Sequence, residues 1–314
     1  TSSLSAQTGV AFDPEDVVLT NGAFTGLSIV LQALVEPGDE VIYISPPWFF
    51  YASFIRRAGG VPVGVSIDWG RFDIDLGAIE AAITPRTRAI IVNSPHNPTG
   101  RVFSSETLQE LAAILTRASE RSGRSIAIVS DEAYRRILFD GRDCPTPAEH
   151  YPHTFVVYTY GKTLLTPGER IGFVALAPGF PDRATAKAGL TVAQVLTGYG
   201  FPNALLQHAI DDLDNEIIDL TALQAKRDRM VSGLRAAGYR TSEPEGTFYL
   251  VVESPFANEW EFVDRLADED VFVLPGTIFD APGYIRISLT ATMEMIERAL
   301  PVFAAIHAKM LSPA

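Results

Sequence analysis

The chain has 314 residues, 47% of them hydrophobic and 20% charged, the balance of a globular protein with room for a large core. Its net charge of −13 and pI of about 4.8 disfavour nucleic acid and anionic membrane surfaces, yet still allow a local cluster of donors to hold a small anion. A lone cysteine, Cys144, excludes an intrachain disulfide and fits a cytoplasmic setting, and neither a long apolar span nor a basic-then-apolar leader is present, so no membrane segment or signal peptide is expected.

In chain order, runs rich in Val and Ile predict strands at Val41–Ile44, Val61–Val65, Ala89–Val92, Ile126–Ser130 and Phe155–Thr159, each read as buried on both faces. Amphipathic stretches near 23–35, 48–58, 75–83 and 105–120 predict the helices that alternate with them. This βαβ rhythm points to an α/β fold with a mostly parallel sheet covered by helices. A strand at Ile171–Leu176 and a long, mostly helical region over 182–237 follow. The rhythm then changes to a strand near 247–252, a helix near 258–267, a short strand at Val271–Val273, a strand at 284–289 and a helix from about 292. The expected organisation is a large domain over 1–218 and a smaller α+β domain over 219–314, with the boundary inside a long helix.

Four clusters carry chemistry. Thr20-Asn21-Gly22-Ala23-Phe24-Thr25-Gly26 opens an amphipathic helix, where free N–H groups and the helix dipole make an anion site and Gly22 permits close approach. Asn93-Ser94-Pro95-His96-Asn97-Pro98-Thr99-Gly100 directly follows a strand, in the place where open α/β sheets bind ligands. Asn97 can donate an amide hydrogen bond to a phenolate, although these residues also make an ordinary turn, and His96 reads as a packing residue. Ser130-Asp131-Glu132-Ala133-Tyr134 offers a carboxylate for a protonated pyridine nitrogen with a phenol beside it, or, more plainly, Asp131 as a helix N-cap.

The fourth cluster is Thr159-Tyr160-Gly161-Lys162, which runs on to Glu169-Arg170-Ile171-Gly172. A lysine amine condenses with an aldehyde once burial or a cationic neighbour lowers its pKa, and Thr159 and Arg170 suit a phosphate. The plain alternative is a surface lysine in a loop. The tail of a P-loop is excluded, because that motif needs glycine at position 156 and Val156 stands there.

In this order and spacing the clusters resemble the class I/II aminotransferases of fold type I, the aspartate aminotransferase type, which work with pyridoxal 5′-phosphate. The resemblance runs from about Asp13 to the last helix. It implies that Lys162 is the Schiff-base lysine and shuttles the substrate Cα proton, that Asp131 pairs with the pyridine nitrogen, and that Asn97 and Tyr134 bond the ring oxygen. It also implies that Gly22, the backbone N–H groups of Ala23 and Phe24, Thr159 and Arg170 hold the phosphate. Trp48 then stacks on the ring, and Arg286, in Tyr284-Ile285-Arg286-Ile287-Ser288, clamps the substrate carboxylate with Asn97 beside it. The implied reaction moves an amino group from an L-amino acid to a 2-oxo acid, and the implied assembly is a homodimer.

Two features depart from the family. Its usual Ser-x-Ser-Lys is Thr159-Tyr160-Gly161-Lys162 here, which keeps one hydroxyl for the phosphate and loses another. Family members also carry several dozen more residues ahead of Thr20, supplying an N-terminal arm, part of the small domain and a tyrosine for the neighbouring subunit's phosphate; that arm is expected to be absent. Lyase, cyclase, oxidase or decarboxylase chemistry would use the same cofactor residues, because the choice depends on which Cα bond stands perpendicular to the ring. A non-catalytic ligand sensor would add a basic DNA-binding module, which this acidic sequence does not show. The five histidines form no metal-ligand pattern, and no Gly-x-Ser-x-Gly is present.

Overall fold

The apolar runs assemble into a seven-stranded sheet in the computed structural model, which describes residues 1–311. The strands are β1 (Val17–Thr20), β2 (Glu40–Ser45), β3 (Val61–Ser66), β4 (Thr87–Asn93), β5 (Ala127–Asp131), β6 (Thr154–Thr159) and β7 (Gly172–Leu176), in the order β1-β7-β6-β5-β4-β2-β3. Strands β2 to β6 pair in parallel, and β7 is antiparallel to both β6 and β1. Helix α1 (Ser2–Thr8) precedes β1, and α2 (Ala23–Leu34), α3 (Tyr51–Arg57), α4 (Leu76–Ala82) and α5 (Ser105–Ser122) lie between the strands.

The two-residue period of a strand divides the core. Val41, Tyr43, Ala89, Ile91, Ala127 and Val129 pack with Leu27, Val30 and Leu31 of α2 on one face. Their sequence neighbours Ile42, Ile44, Ile90, Val92 and Ile128 pack with Leu108, Leu111 and Leu115 of α5 on the other. Helices on both faces explain why these strands read as continuous apolar runs. The reading of Val61–Val65 as doubly buried does not hold: β3 is the sheet edge, and Val61 is 47% exposed.

Between β6 and β7 only the single-turn helix α6 (Tyr160–Thr163) intervenes. With no crossover helix the chain returns antiparallel, which is how the last strand departs from the parallel rhythm. Strand β1 is not among the expected elements; its four residues are too short to show a period. The helical region is not one helix but four, α7 (Arg183–Leu196), α8 (Ala204–His208), α9 (Ile210–Leu213) and α10 (Leu220–Ala236). Gly198, Gly200 and Pro202 interrupt it after α7, and α10 starts afresh on an Asp219 cap that accepts from the Ala222 N–H.

The second sheet is small: β8 (Tyr249–Glu253) and β9 (Leu274–Pro275) flank β10 (Tyr284–Ser288), both antiparallel to it. Helices α10, α11 (Glu259–Ala267) and α12 (Met293–Leu311) cover it around Leu234, Phe262 and Phe303. The strand expected at Val271–Val273 lies instead at Leu274–Pro275, because the Val271 N–H is used to close the end of α11 on the Leu266 carbonyl. Among the described residues no helix is long and apolar enough to cross a membrane.

Strand β7 starts at a point of close backbone approach. A Cβ on Gly172 would lie 2.3 Å from the Tyr158 carbonyl oxygen and 2.9 Å from Gly22 Cα, and backbone cannot yield as a side chain can. Gly172→Ala is therefore expected to cost at least about 2 kcal/mol of stability, read as a lowered urea midpoint. An unchanged midpoint would show that the two backbones are free to part.

Candidate active site

Three neighbouring parallel strands end together. The register pairs Asn93 at the end of β4 with Asp131 at the end of β5, while β6 ends at Thr159, opposite Gly172. Across Gly172 lies Thr20, the last residue of β1, from which the chain passes through Asn21 and Gly22 into α2. The carboxyl ends of an open α/β sheet are where its ligands sit, and here they floor a cavity of about 680 Å³. Ala23, Phe24, Trp48, Asn97, Asp131 and Tyr134 line it, and so do Thr159, Lys162 and Arg170.

Asp131 is 6% exposed. Tyr51 donates its hydroxyl hydrogen to Oδ2 at 2.6 Å, and the Ala133 N–H reaches Oδ1 at 3.3 Å. The plain reading of Asp131 as a helix cap fails, since turns follow it, not a helix. Burial raises the Asp131 carboxyl pKa, against the pull of the Tyr51 hydrogen bond, the Ala133 N–H and the Lys162 charge. Asn93 fixes the surroundings: its Nδ2 donates to the Asp131 carbonyl at 2.8 Å, and its Oδ1 accepts from the Asn97 N–H at 2.8 Å.

Lys162 projects from α6, and burial lowers its pKa; the Asp131 carboxylate opposes that, while the Arg286 and Arg170 charges add to it. Its Nζ lies 5.7 Å from the Tyr134 ring centroid and 5.8 Å from that of Phe248, so an amine sits among aromatic walls. Such surroundings favour the neutral, nucleophilic amine. Tyr134 is itself buried, with a phenol pKa pushed well up by desolvation.

Asn97 and Arg286 meet although they belong to different sheets. Arg286 Nη1 donates to Asn97 Oδ1 at 3.1 Å, which leaves the Asn97 amide hydrogens for another acceptor. The guanidinium carbon lies 4.0 Å from the Tyr249 ring centroid, and burial lowers the Arg286 pKa. Among the described residues no carboxylate pairs with Arg286 or with Arg170. Arg170 is exposed, but Arg286 is half-buried, and a half-buried guanidinium without a counter-anion is costly unless a ligand supplies one.

The other end of the cavity has the makings of a phosphate cradle. No side chain caps the N-terminus of α2, whose cap residue is Gly22. Gly22 has φ 80°, and a Cβ there would stand 2.6 Å from Arg170 Nη2 and 3.2 Å from Thr159 Oγ1. Arg170 is held over this spot by the Pro167 and Asn21 carbonyls. Open helix N–H groups, a hydroxyl and an arginine fork suit a phosphate, and a buried carboxylate and an amine at the far end suit a pyridine nitrogen and an aldehyde. The donor set thus fits pyridoxal 5′-phosphate.

Sequence reasoning misses three residues of this arrangement. Tyr51 lies in an aromatic run that predicts the start of a helix, and nothing local says that its hydroxyl reaches a strand 80 positions away. Tyr249, under Arg286, carries no signal. Asn93 opens a cluster that the sequence analysis singles out, but its place at the end of the apolar run Ala89–Val92 gives no sign that it bonds both Asp131 and Asn97. His96 is buried as a packing residue, with Nδ1 2.8 Å from Thr99 Oγ1.

The sequence matches the aminotransferase class I and II family over residues 2–303. It is 34% identical over 310 residues to the aspartate/prephenate aminotransferase of Thermus thermophilus, covering 96% of this chain and 77% of that one. It is 30% identical over 309 residues to the aspartate aminotransferase of a Bacillus species, covering 92% and 75%. Among solved structures, an aminotransferase from Eubacterium rectale superposes with a TM-score of 0.96 at 35% identity, over 99% of this chain and 78% of that one. The Thermus thermophilus aspartate aminotransferase with maleate superposes at 0.85 and 31% identity, over 97% and 79%.

Burial in the loop after β4 pushes the His96 pKa down to about 4. In the unfolded chain this histidine takes up its proton near pH 6.5. The folded state resists that proton, so its contribution is complete above pH 6.5 and is lost as the pH falls toward 4, by ~3 kcal/mol. Urea midpoints of the native protein and of His96→Gln should converge across that window; parallel curves would mean that His96 takes its proton freely in the folded state.

Proposed function

Since the chain belongs to the class I and II aminotransferases, pyridoxal-phosphate enzymes that move an amino group from an amino acid to a 2-oxo acid, we propose that Lys162 carries the cofactor and moves the substrate proton. The observation that carries this reading is the convergence of Lys162, Asp131 and Asn97 on one cavity whose other end holds Gly22, Thr159 and Arg170. When bound, pyridoxal phosphate supplies the electron sink for the Cα–H bond. Lys162, its basicity lowered by burial, would hold the cofactor through its aldehyde, and its amine would serve as the base for the substrate Cα proton.

The Asp131 carboxylate pairs with the pyridine nitrogen; Tyr51 and Asn93 are positioning residues that keep it aimed. With Arg286 on its own oxygen, Asn97 would donate its amide hydrogens to the ring oxygen, which Tyr134 would bond as well. Trp48 would cover the ring, and the Ala23 and Phe24 N–H groups would bind the phosphate with Thr159 and Arg170. Arg286 receives the substrate α-carboxylate, the anion that its surroundings lack. Lys162→Ala should keep the fold and lose the borohydride-reducible bond to pyridoxal phosphate. For the native protein loaded with the cofactor, the visible absorption band should be lost on adding an amino donor and return with a 2-oxo acid, a cycle that an elimination or decarboxylation would not complete.

The active assembly is a homodimer in this reading. Val192, Val195 and Leu196 on α7 and Phe201 and Leu205 beyond it are 54–79% exposed, next to the cavity residues Gly198 and Tyr199. An apolar strip of this kind on an acidic chain suits burial against a second copy. Sedimentation should give a dimer, and the pair Leu196→Asp and Leu205→Asp should give a folded monomer. A native protein that sediments as a monomer would refute the dimer.

A further inference from the structure

We infer that Glu245 is a positioning residue for Asn97 and so governs the hydrogen bond to the ring oxygen of the cofactor; the inference rests on the ring contact of Asn97 proposed above. Asn97 sits in a turn that closes on itself. The Gly100 N–H donates to the His96 carbonyl and the His96 N–H to the Arg101 carbonyl, both at 2.7 Å. The near limb hangs from β4, because Asn93 Oδ1 accepts from the Asn97 N–H. The far limb, Gly100-Arg101-Val102, is held by one residue that precedes β8. Glu245, 8% exposed, binds all three: its N–H donates to the Gly100 carbonyl at 2.9 Å, Oε1 accepts from Arg101 Nη1 at 2.8 Å, and Oε2 accepts from the Val102 N–H at 2.9 Å. Arg101 reaches on to Asp73, with Nε 3.0 Å from Oδ2, so its guanidinium is held from two sides.

The same residue ties this turn to the rest of the site. Its carbonyl accepts from the Phe139 N–H at 2.9 Å, and the next N–H, of Gly246, also donates to the Gly100 carbonyl, at 3.0 Å. The backbones touch here: a Cβ on Gly246 would lie 2.7 Å from the Ile137 carbonyl oxygen, and one on Gly100 would lie 2.4 Å from Pro244 Cβ. Just beyond, Phe248 stands 5.8 Å from Lys162 Nζ, and Tyr249 lies under Arg286. Arg286 is the other anchor of the Asn97 side chain, but in the proposed reaction that guanidinium also receives the substrate α-carboxylate. A bond shared with a ligand changes when the ligand arrives. The groups around the Glu245 carboxylate are assigned to neither substrate nor cofactor, so substrate does not compete for them. Glu245 therefore keeps the Asn97 turn at one height in the filled and the empty site, and a hydrogen bond weakens steeply once its geometry slips.

The pH midpoint of the visible absorption band of the pyridoxal-phosphate-loaded protein reads this bond without turnover. A donor on the ring oxygen stabilises negative charge there and lowers the affinity of the neighbouring Lys162 nitrogen for its proton. Asn97→Ala is expected to raise the midpoint by ~1 pH unit and Glu245→Ala by ~0.5 unit, while Glu245→Ala should add nothing in the Asn97→Ala background. Glu245→Gln keeps an acceptor for the Val102 N–H, and so serves if Glu245→Ala does not fold; it should move the midpoint the same way by less. A merely structural role would lower the urea midpoint and leave the band's pH midpoint in place. Folded Glu245 variants with that midpoint unmoved, beside an Asn97→Ala that moves it, would overturn the assignment of Glu245 and leave the Asn97 contact standing. Shifts that add in the double variant would show Glu245 acting by another route and would overturn it as well. An unmoved midpoint in Asn97→Ala would remove the ring contact of Asn97 from the reading above, and this inference with it.

Discussion

The shared ending of β4, β5 and β6 is the constraint on which the remainder of the molecule depends. A parallel ladder fixes the relative height of its strands, so Asn93, Asp131 and Thr159 cannot drift apart without breaking the register that holds the core. The antiparallel return of β7 adds Gly172 to the same edge, and Gly172 in turn lets the Gly22 backbone approach. Five strands thus present one row of strand ends, and the groups assigned to the ring or the phosphate hang from that row or from the first turn beyond it, with the exception of Trp48, which follows β2.

Charge along that row is balanced with little to spare. Burial works against the ionised form of Asp131 and against the protonated form of Lys162, and the two partly rescue each other. Arg286 and Arg170 tip the balance by lowering the Lys162 pKa further. A carboxylate bound at one arginine and a phosphate at the other would cancel those positive charges. The amine would then become more basic as the site fills, so in the proposed reaction the group that takes up the proton would gain affinity for it when substrate is present.

Much of this is legible in the sequence, because it is local. The strand-then-loop pattern places Asn97, Asp131 and Lys162 at strand ends, and two-sided burial follows from the unbroken Val and Ile runs. Other features cannot be read, because they depend on distant partners or on competing contacts. Tyr51 acts across 80 positions through one hydroxyl, and the β7 reversal depends on the shortness of α6. The breaks in the 182–237 region lie in plain view as Gly198, Gly200 and Pro202, but the charged and apolar spacing on either side looks continuous. The strand expected at Val271–Val273 loses to a helix-closing hydrogen bond, a competition that residue types do not reveal.

The hydrogen bond from Arg286 to Asn97 has one more consequence. Arg286 belongs to β10 of the small sheet and Asn97 to the loop after β4 of the large one, so the 3.1 Å contact bridges the two sheets, beside Ala133, Tyr134, Ile137 and Phe139, which follow β5 and pack into the core of the small sheet. An acid that bound Arg286 more tightly in one arrangement of the two sheets than in another would stabilise that arrangement. Linkage makes the relation reciprocal: whatever arrangement of the two sheets best seats the acid is stabilised by as much free energy as the acid gains from it. A substitution far out on the seam that disfavoured that arrangement would then loosen the acid's grip while every side chain that touches the acid stayed as it was.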